Sequence, residues 1–158
     1  MQGSNAVEAP GATQQDAAQD AGVPLTAQDP ADWVPVTEVR GVAVETNRLF
    51  YPSGRLRRIY TSRPGVLGPR GHEGRDLELY ETGVIQREAH WVAGRMEGPY
   101  REWFEGGQIR VLTQFVAGQR SGLYQEYGEL GVLRVQANYL DGALHGEFRR
   151  WFETEEPQ

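Results

Sequence analysis

Glycine recurs along this chain at a fixed spacing of 24 residues: Gly83, Gly107 and Gly131 form one series, Gly94, Gly118 and Gly142 a second, and Gly98, Gly122 and Gly146 a third. A self-similar period of roughly 20 to 50 residues marks a repeat architecture, in which each unit buries its apolar surface only by stacking on the next. The apolar positions keep the same register. Ile85, Ile109 and Leu133 form one row, Trp91, Phe115 and Tyr139 another, and Leu79, Trp103, Tyr127 and Trp151 a third. A degenerate earlier copy starts in "NRLFYPSGRLRRIY", where Gly54 and Leu56 match Gly83 and Ile85 at a spacing of 29. The first repeat thus carries a five-residue insertion within "SRPGVLGPRGHEG".

The unit reads as a β-hairpin. An aromatic-rich run from Tyr100 to Glu105 is punctuated by Gly106 and Gly107, an alternating run from Gln108 to Ala117 follows, and "GQRSG" turns the chain again. Such short runs, rich in aromatic and β-branched residues and bounded by glycine, favour strands and leave no room for a helix with two turns of apolar stripe. Alternation places Ile109, Val111, Thr113 and Phe115 on one side of a strand and Arg110, Leu112 and Gln114 on the other. The expected fold is all-β: an elongated, twisted antiparallel meander of about ten strands, two per repeat. "WVPVTEVRGVAVET" is expected to add a capping strand or two, and the charges and proline of "GEFRRWFETEEPQ" to blunt the last edge.

Charge and composition divide the chain. Residues 1–32 carry Glu8, Asp16, Asp20, Asp29 and Asp32 with no basic residue. This stretch cannot bury enough apolar surface to offset its ordering entropy, so a disordered arm is expected ahead of a repeat domain at 33–153 and a tail at 154–158. The whole chain holds 16 basic residues, all arginine, against 22 acidic ones, so the repeat region is close to neutral once the arm is set aside. Without a basic field, attraction to nucleic acid or an anionic membrane surface is weak. There is no cysteine, which excludes disulfides, thiolate metal sites and a cysteine nucleophile. No run approaches 18 apolar residues. The acidic arm suits a spacer to an envelope lipid anchor and equally a plain cytoplasmic tail, and the sequence upstream of Met1 would separate the two addresses.

Two stretches, "YREWFEGGQIRVLTQFVAGQRSGLYQEYGELGVLRVQANYLDGALHG" and "GALHGEFRRWFE", resemble the MORN-repeat variant of the bacterial YwqK-type antitoxin-like proteins. Units of that family read as an aromatic pair, a turn glycine two residues before an aliphatic, a single aromatic, and then G-x-x-x-G with histidine often before the last glycine. His145-Gly146 keeps the full form, whereas "GRMEG", "GQRSG" and "GHEG" depart from it at the turn. The resemblance covers about two thirds of the chain. It implies an all-β repeat without catalytic activity that binds a protein partner, a toxin among the options, and it is similar to MORN arrays that serve as adaptors or membrane-proximal scaffolds.

Motifs with a catalytic mechanism fail individually. His72, His90 and His145 show no ligand spacing and are expected on turns or strand surfaces. Glu78, Glu102 and Glu126 recur at the repeat period, as do Glu81, Glu105, Glu129 and Glu153. Their expected separation of roughly 10 Å exceeds both the ~5 Å of a retaining and the ~6.5 to 9.5 Å of an inverting glycosidase pair. They are expected to pair with arginines such as Arg101, Arg110 and Arg134 on adjacent strands. Gly118-Gln119-Arg120-Ser121-Gly122 has its serine one place late for a nucleophile elbow. "PGVLGPRGHEG" lacks the G-K-[ST] of a phosphate loop and reads as a flexible insertion.

The expectation is therefore a module that is not an enzyme, with no cofactor and no metal, binding another protein or a second copy of itself. Trp91, Trp103, Phe115, Tyr127, Tyr139 and Trp151 are the candidate partner-binding side chains, since regularly spaced aromatics make good anchors. One of their two rows is expected to pack into the repeat core. Gly94, Gly98, Gly118, Gly122, Gly142, His145 and Gly146 are the expected turn residues of the repeat.

Overall fold

Two kinds of turn alternate along the chain, and the glycine series decide which is which. At Ala93-Gly94, Ala117-Gly118 and Asp141-Gly142 both residues have positive φ, between 50° and 87°. This is the two-residue type I′ turn, whose twist matches that of the flanking strands. At Gly83 a positive φ instead ends a three-residue loop: its N–H donates to the Tyr80 carbonyl at 2.9 Å while the Tyr80 N–H donates to the Val84 carbonyl at 2.8 Å. The same pair of bonds recurs at Tyr51 with Gly54, Phe104 with Gly107, and Gly128 with Gly131.

The computed structural model describes residue 33 and residues 36–152. The arm expected at 1–32 and the tail expected at 154–158 lie outside the described residues. β1 (Glu38–Val39) and β2 (Val42–Ala43) form a small hairpin. The main sheet comprises β3 (Glu45–Phe50), β4 (Leu56–Ser62), β5 (His72–Leu79), β6 (Ile85–Val92), β7 (Arg95–Met96), β8 (Gly98–Trp103), β9 (Ile109–Val116), β10 (Gln119–Arg120), β11 (Gly122–Tyr127), β12 (Leu133–Leu140) and β13 (Ala143–Arg150). Its order is β13-β12-β11-β9-β8-β6-β5-β4-β3, antiparallel throughout, with the two-residue arms β7 and β10 paired to β6 and β9. Those arms bring the sheet to eleven strands. The only helical element among the described residues is a single 3₁₀ turn at Pro69–Gly71.

The hairpins closed by three-residue loops slip register at the same place, between Leu49 and Phe50, Glu78 and Leu79, Glu102 and Trp103, and Glu126 and Tyr127. This bulge corrects the simple alternation read from the sequence. Glu102 faces Val111, but Trp103 faces Ile109, so Arg110 is the extra residue. Cross-strand partners share a face. Ile109 therefore joins Trp103, while Val111, Thr113 and Phe115 stay on the opposite side. The core on the Trp103 side contains Trp33, Ile59, Leu77 and Ile85, with Leu56 and Ile109 packed against it.

Stacking between repeats is carried by backbone bonds at matched positions. The N–H of Gly94, Gly118 and Gly142 donates to the carbonyl of His72, Met96 and Arg120, at 3.0, 2.9 and 2.9 Å. Each tight turn is thereby fastened to the repeat before it. The insertion between β4 and β5 was expected to be a flexible segment, yet it closes on itself. Arg63 N–H donates to the Gly71 carbonyl at 2.8 Å, Val66 N–H to the Arg63 carbonyl at 3.2 Å, and the Arg63 guanidinium to the Arg70 carbonyl at 2.6 Å. These bonds use polar groups that a loose loop would leave to water.

Candidate interaction surface

The six aromatics singled out by their period lie on two opposite faces. Trp103 sits three residues from Tyr100, so alternation turns the two apart. Trp103 and Tyr127 are buried, as is Leu79 in the same series, and neither ring is offered to a partner. This corrects their assignment as binding residues: alternation along their own strands points them into the core face, and the bulge on the partner strand brings Ile109 to that same face. Trp151, the fourth in the series, is 41% exposed. Trp91, Phe115 and Tyr139 are half-buried on the other face.

That second face is built from alternating large and small positions. Tyr100 faces Thr113 across the ladder, Tyr124 faces Ala137, and Ala137 faces Phe148. Ala89, Thr113 and Ala137 recur at the repeat period and are buried, which lets the flanking rings approach. Tyr100 meets Phe115 edge-on at 5.4 Å, and Tyr124 meets Tyr139 at 6.0 Å. The Arg120 guanidinium lies 5.2 Å from the Tyr124 ring and 5.6 Å from that of Tyr139, within range of cation–π attraction. The Tyr100 hydroxyl donates to Glu102 Oε1 and the Tyr124 hydroxyl to Glu126 Oε2. Burial, reinforced by the neighbouring carboxylate, raises both phenols, that of Tyr124 to about 12. Neither tyrosine is poised to exchange a proton near neutral pH.

Toward the first repeat the aromatic row gives way to a polar knot. Asp76 occupies the place held by Tyr100 and Tyr124 one and two periods on, and it is 1% exposed. It accepts both nitrogens of the Arg58 fork at 2.9 and 2.8 Å and the Trp91 indole N–H at 3.0 Å, with Arg87 at 3.6 Å. His72 was expected on a turn or strand surface. It is buried instead, wedged between Tyr60 at 4.8 Å and Trp91 at 4.9 Å. Burial lowers its pKa, and repulsion from Arg58 and Arg87 adds to the effect against the pull of Asp76.

Of the two acidic ladders, Glu78 and Glu102 meet arginines, Glu126 is held by Tyr124 and Glu105 by Thr82, while Glu153 lies outside the described residues. Glu78 meets Arg87 at 3.3 Å, and Glu102 meets Arg110 at 3.9 Å. Arg101 turns instead to the opposite face and binds Glu88 at 3.0 Å, beside Arg75 at 2.7 Å. Burial pushes the Glu88 carboxyl up, but the two arginines outweigh it and hold the carboxyl below its usual range. Among the described residues no group of three His, Asp or Glu could hold a metal ion.

Gly94, Gly118 and Gly142 do form turns, whereas Gly98, Gly122 and Gly146 do not. With φ of 88°, 76° and 80° they mark the step from a short arm into the long strand that follows it, or, for Gly146, a jog inside β13. His145 is likewise no turn residue; it lies exposed in β13. One periodic pair went unread in the sequence. The carboxylates of Glu73 and Glu97 accept the N–H of Ala93 and Ala117, at 2.9 and 2.7 Å, and so anchor the next tight turn. Their 24-residue spacing was the available signal, hidden because Ser121 and His145 continue the series.

No curated protein matches the chain. Residues 96–117 match the family model described as the MORN repeat variant. That span runs from the arm β7 through β8 and β9 to the next tight turn, and equivalent strands and turns stand on either side of it. The chain therefore carries a MORN-variant repeat set within an array of like units.

Proposed function

We propose that this chain is a non-enzymatic β-repeat scaffold that binds a protein partner along its sheet. The observation that carries this reading is the row of Trp91, Phe115 and Tyr139, half-buried at one-repeat intervals on the face opposite the Trp103 core, with part of each ring left to solvent. A regular row of rings, backed by Tyr100 and Tyr124 and flanked by Arg120, suits contact with an extended protein surface, where aromatic and arginine side chains contribute most. The periodic carboxylates of Glu78, Glu102 and Glu126 are each held by an arginine or tyrosine partner, which supports a binding role over catalysis. Within this reading the resemblance to YwqK-type proteins makes antitoxin-like capture of a protein the finer proposal. The acidic arm supports a second, independent proposal: tethering of the scaffold at a cell envelope.

Replacing Phe115 and Tyr139 by Ser, singly and together, tests the scaffold. Lost capture of the partner retained by the wild-type chain, with the fold intact by circular dichroism, is the expected result. Capture that is indifferent to both substitutions would remove the ring row from the function. A small molecule that co-purifies and is turned over would remove the scaffold altogether.

A further inference from the structure

Among the described residues β13 is the outermost strand of the sheet, and all eight of its residues are exposed. The repeat itself reveals what such a strand lacks. The equivalent stretch Gly98–Trp103 pairs with β9, and Gly122–Tyr127 pairs with β12. Trp103 and Tyr127 are buried there, whereas their counterpart Trp151 is 41% exposed and Leu144, Phe148 and Phe152 are 53, 52 and 76% exposed. The period would put glycine at 155 and an aliphatic residue at 157, where the sequence has Glu155 and Pro157, so the pattern that builds the covering strand breaks there. An unpaired edge with apolar side chains is a template for another strand.

Direction, phase and charge decide which strand fits. The path from β3 to β13 holds nine strands, so β3 and β13 run the same way. Joining β13 of one copy to β3 of the next would make a parallel pair in an otherwise antiparallel sheet. A two-fold axis at β13 makes an antiparallel pair, and it closes the assembly at two copies. The Trp151 N–H donates inward to the Arg134 carbonyl at 2.8 Å, so alternation points the backbone groups of Phe148 and Arg150 outward. Outward residues must face outward ones, which leaves an axis at 147, 148 or 149. An axis at 147 opposes Glu147 to its own copy, and one at 149 opposes Arg149 to its own copy. An axis at 148 sets Phe148 against Phe148 of the second copy and Glu147 against Arg149 in both directions, all within the regular stretch that follows the jog at Gly146.

We propose that the chain forms a two-fold dimer through antiparallel β13–β13 pairing centred on Phe148, with Glu147 and Arg149 paired across the axis. This rests on the scaffold reading and names a second copy as the occupant of the sheet edge. Within one strand Glu147 and Arg149 already meet at 2.7 Å on the exposed side, so dimerisation joins two such pairs into a four-charge cluster. A single strand pair is a small interface and belongs to the weak, concentration-dependent class.

Sedimentation equilibrium of the 158-residue chain over a concentration series tests this. The wild type is expected to move from one to two chain masses as concentration rises. Glu147→Arg or Arg149→Glu alone sets like charges across the axis and is expected to weaken dimerisation roughly tenfold. The double swap E147R/R149E restores complementarity and dimerisation. Circular dichroism at low concentration confirms that each variant is folded. A wild type that stays monomeric, a dimer untouched by either single swap, or a double swap without rescue would overturn the inference. A monomeric wild type leaves the scaffold reading standing, because that reading fails only if the Phe115 and Tyr139 variants capture partner as the wild type does.

Discussion

The N–H of Gly94 donates to the carbonyl oxygen of His72 at 3.0 Å, fastening a hairpin turn to the repeat that precedes it. A Cβ on Gly94 would lie 2.7 to 3.0 Å from the backbone of Arg70, within the insertion. At Gly118 the corresponding Cβ would come no closer than 3.8 Å, to Arg95 Cβ. Both glycines have positive φ, so alanine is strained at either site. Gly118→Ala is expected to cost about 1 kcal/mol, and Gly94→Ala about 3 kcal/mol because the Arg70 backbone must also move. Urea denaturation of the two variants gives the comparison.

The first residue of each tight turn also has positive φ, near 50°, and in two repeats it is alanine. Asp141 holds the equivalent place in the last repeat, and asparagine and aspartate tolerate this conformation better than alanine. Ala117→Asn should therefore stabilise the fold by about 0.5 to 1 kcal/mol, read as a rise in melting temperature. An unchanged or lower melting temperature would show that the strain at φ 51° is already relieved elsewhere.

Trp103 and Trp151 occupy the same place in the repeat but not in the core. Trp103 is 6% exposed and packs with Ile85 and Leu77. Trp103→Ala is expected to cost about 3 to 5 kcal/mol, and Trp151→Ala less than about 1.5 kcal/mol in the monomer. Equal losses in chemical denaturation would contradict the burial difference.

This contrast shows where the sequence is readable. Period and strand content follow from glycine spacing, as do the turns at the Gly83 and Gly94 series, because each demands a positive φ that glycine supplies at little cost, whereas the equally periodic Gly98, Gly122 and Gly146 lie within strands. The face that Ile109 and Trp103 share was not readable, since one extra residue at Arg110 reverses the side to which Ile109 points. The polar knot was hidden for another reason: Asp76 stands where later repeats have Tyr100 and Tyr124, so nothing in the repeat pattern marks a buried carboxylate there. Burial of His72 depends on Tyr60 and Trp91 coming from two different strands, a meeting that only the register determines.

His72 makes the fold sensitive to acid. Burial and the adjacent Arg58 and Arg87 lower its folded pKa beneath the unfolded value near 6.5, and Asp76 only partly offsets them. The neutral ring is the one the fold prefers. Its contribution is fully present above about pH 6.5 and is lost as pH falls through the folded pKa, because the unfolded chain takes up the proton first. Thermal melts of the wild type between about pH 7.5 and pH 5.5 should show a falling midpoint, and His72→Phe should flatten that dependence. An unaltered slope in the variant would assign the acid sensitivity to other groups.

The bonds from Gly94, Gly118 and Gly142 to His72, Met96 and Arg120 each span 22 residues. Excising residues 97–120 would leave the Met96 carbonyl opposite the Gly142 N–H, with one two-stranded unit gone and every surviving acceptor still matched to a donor. Duplication works the same way. The chain is in effect a ruler graduated in 24-residue steps: its reach can lengthen or shorten by whole units without a new solution to the folding problem, whereas a gain or loss of half a unit reverses the direction of every strand that follows.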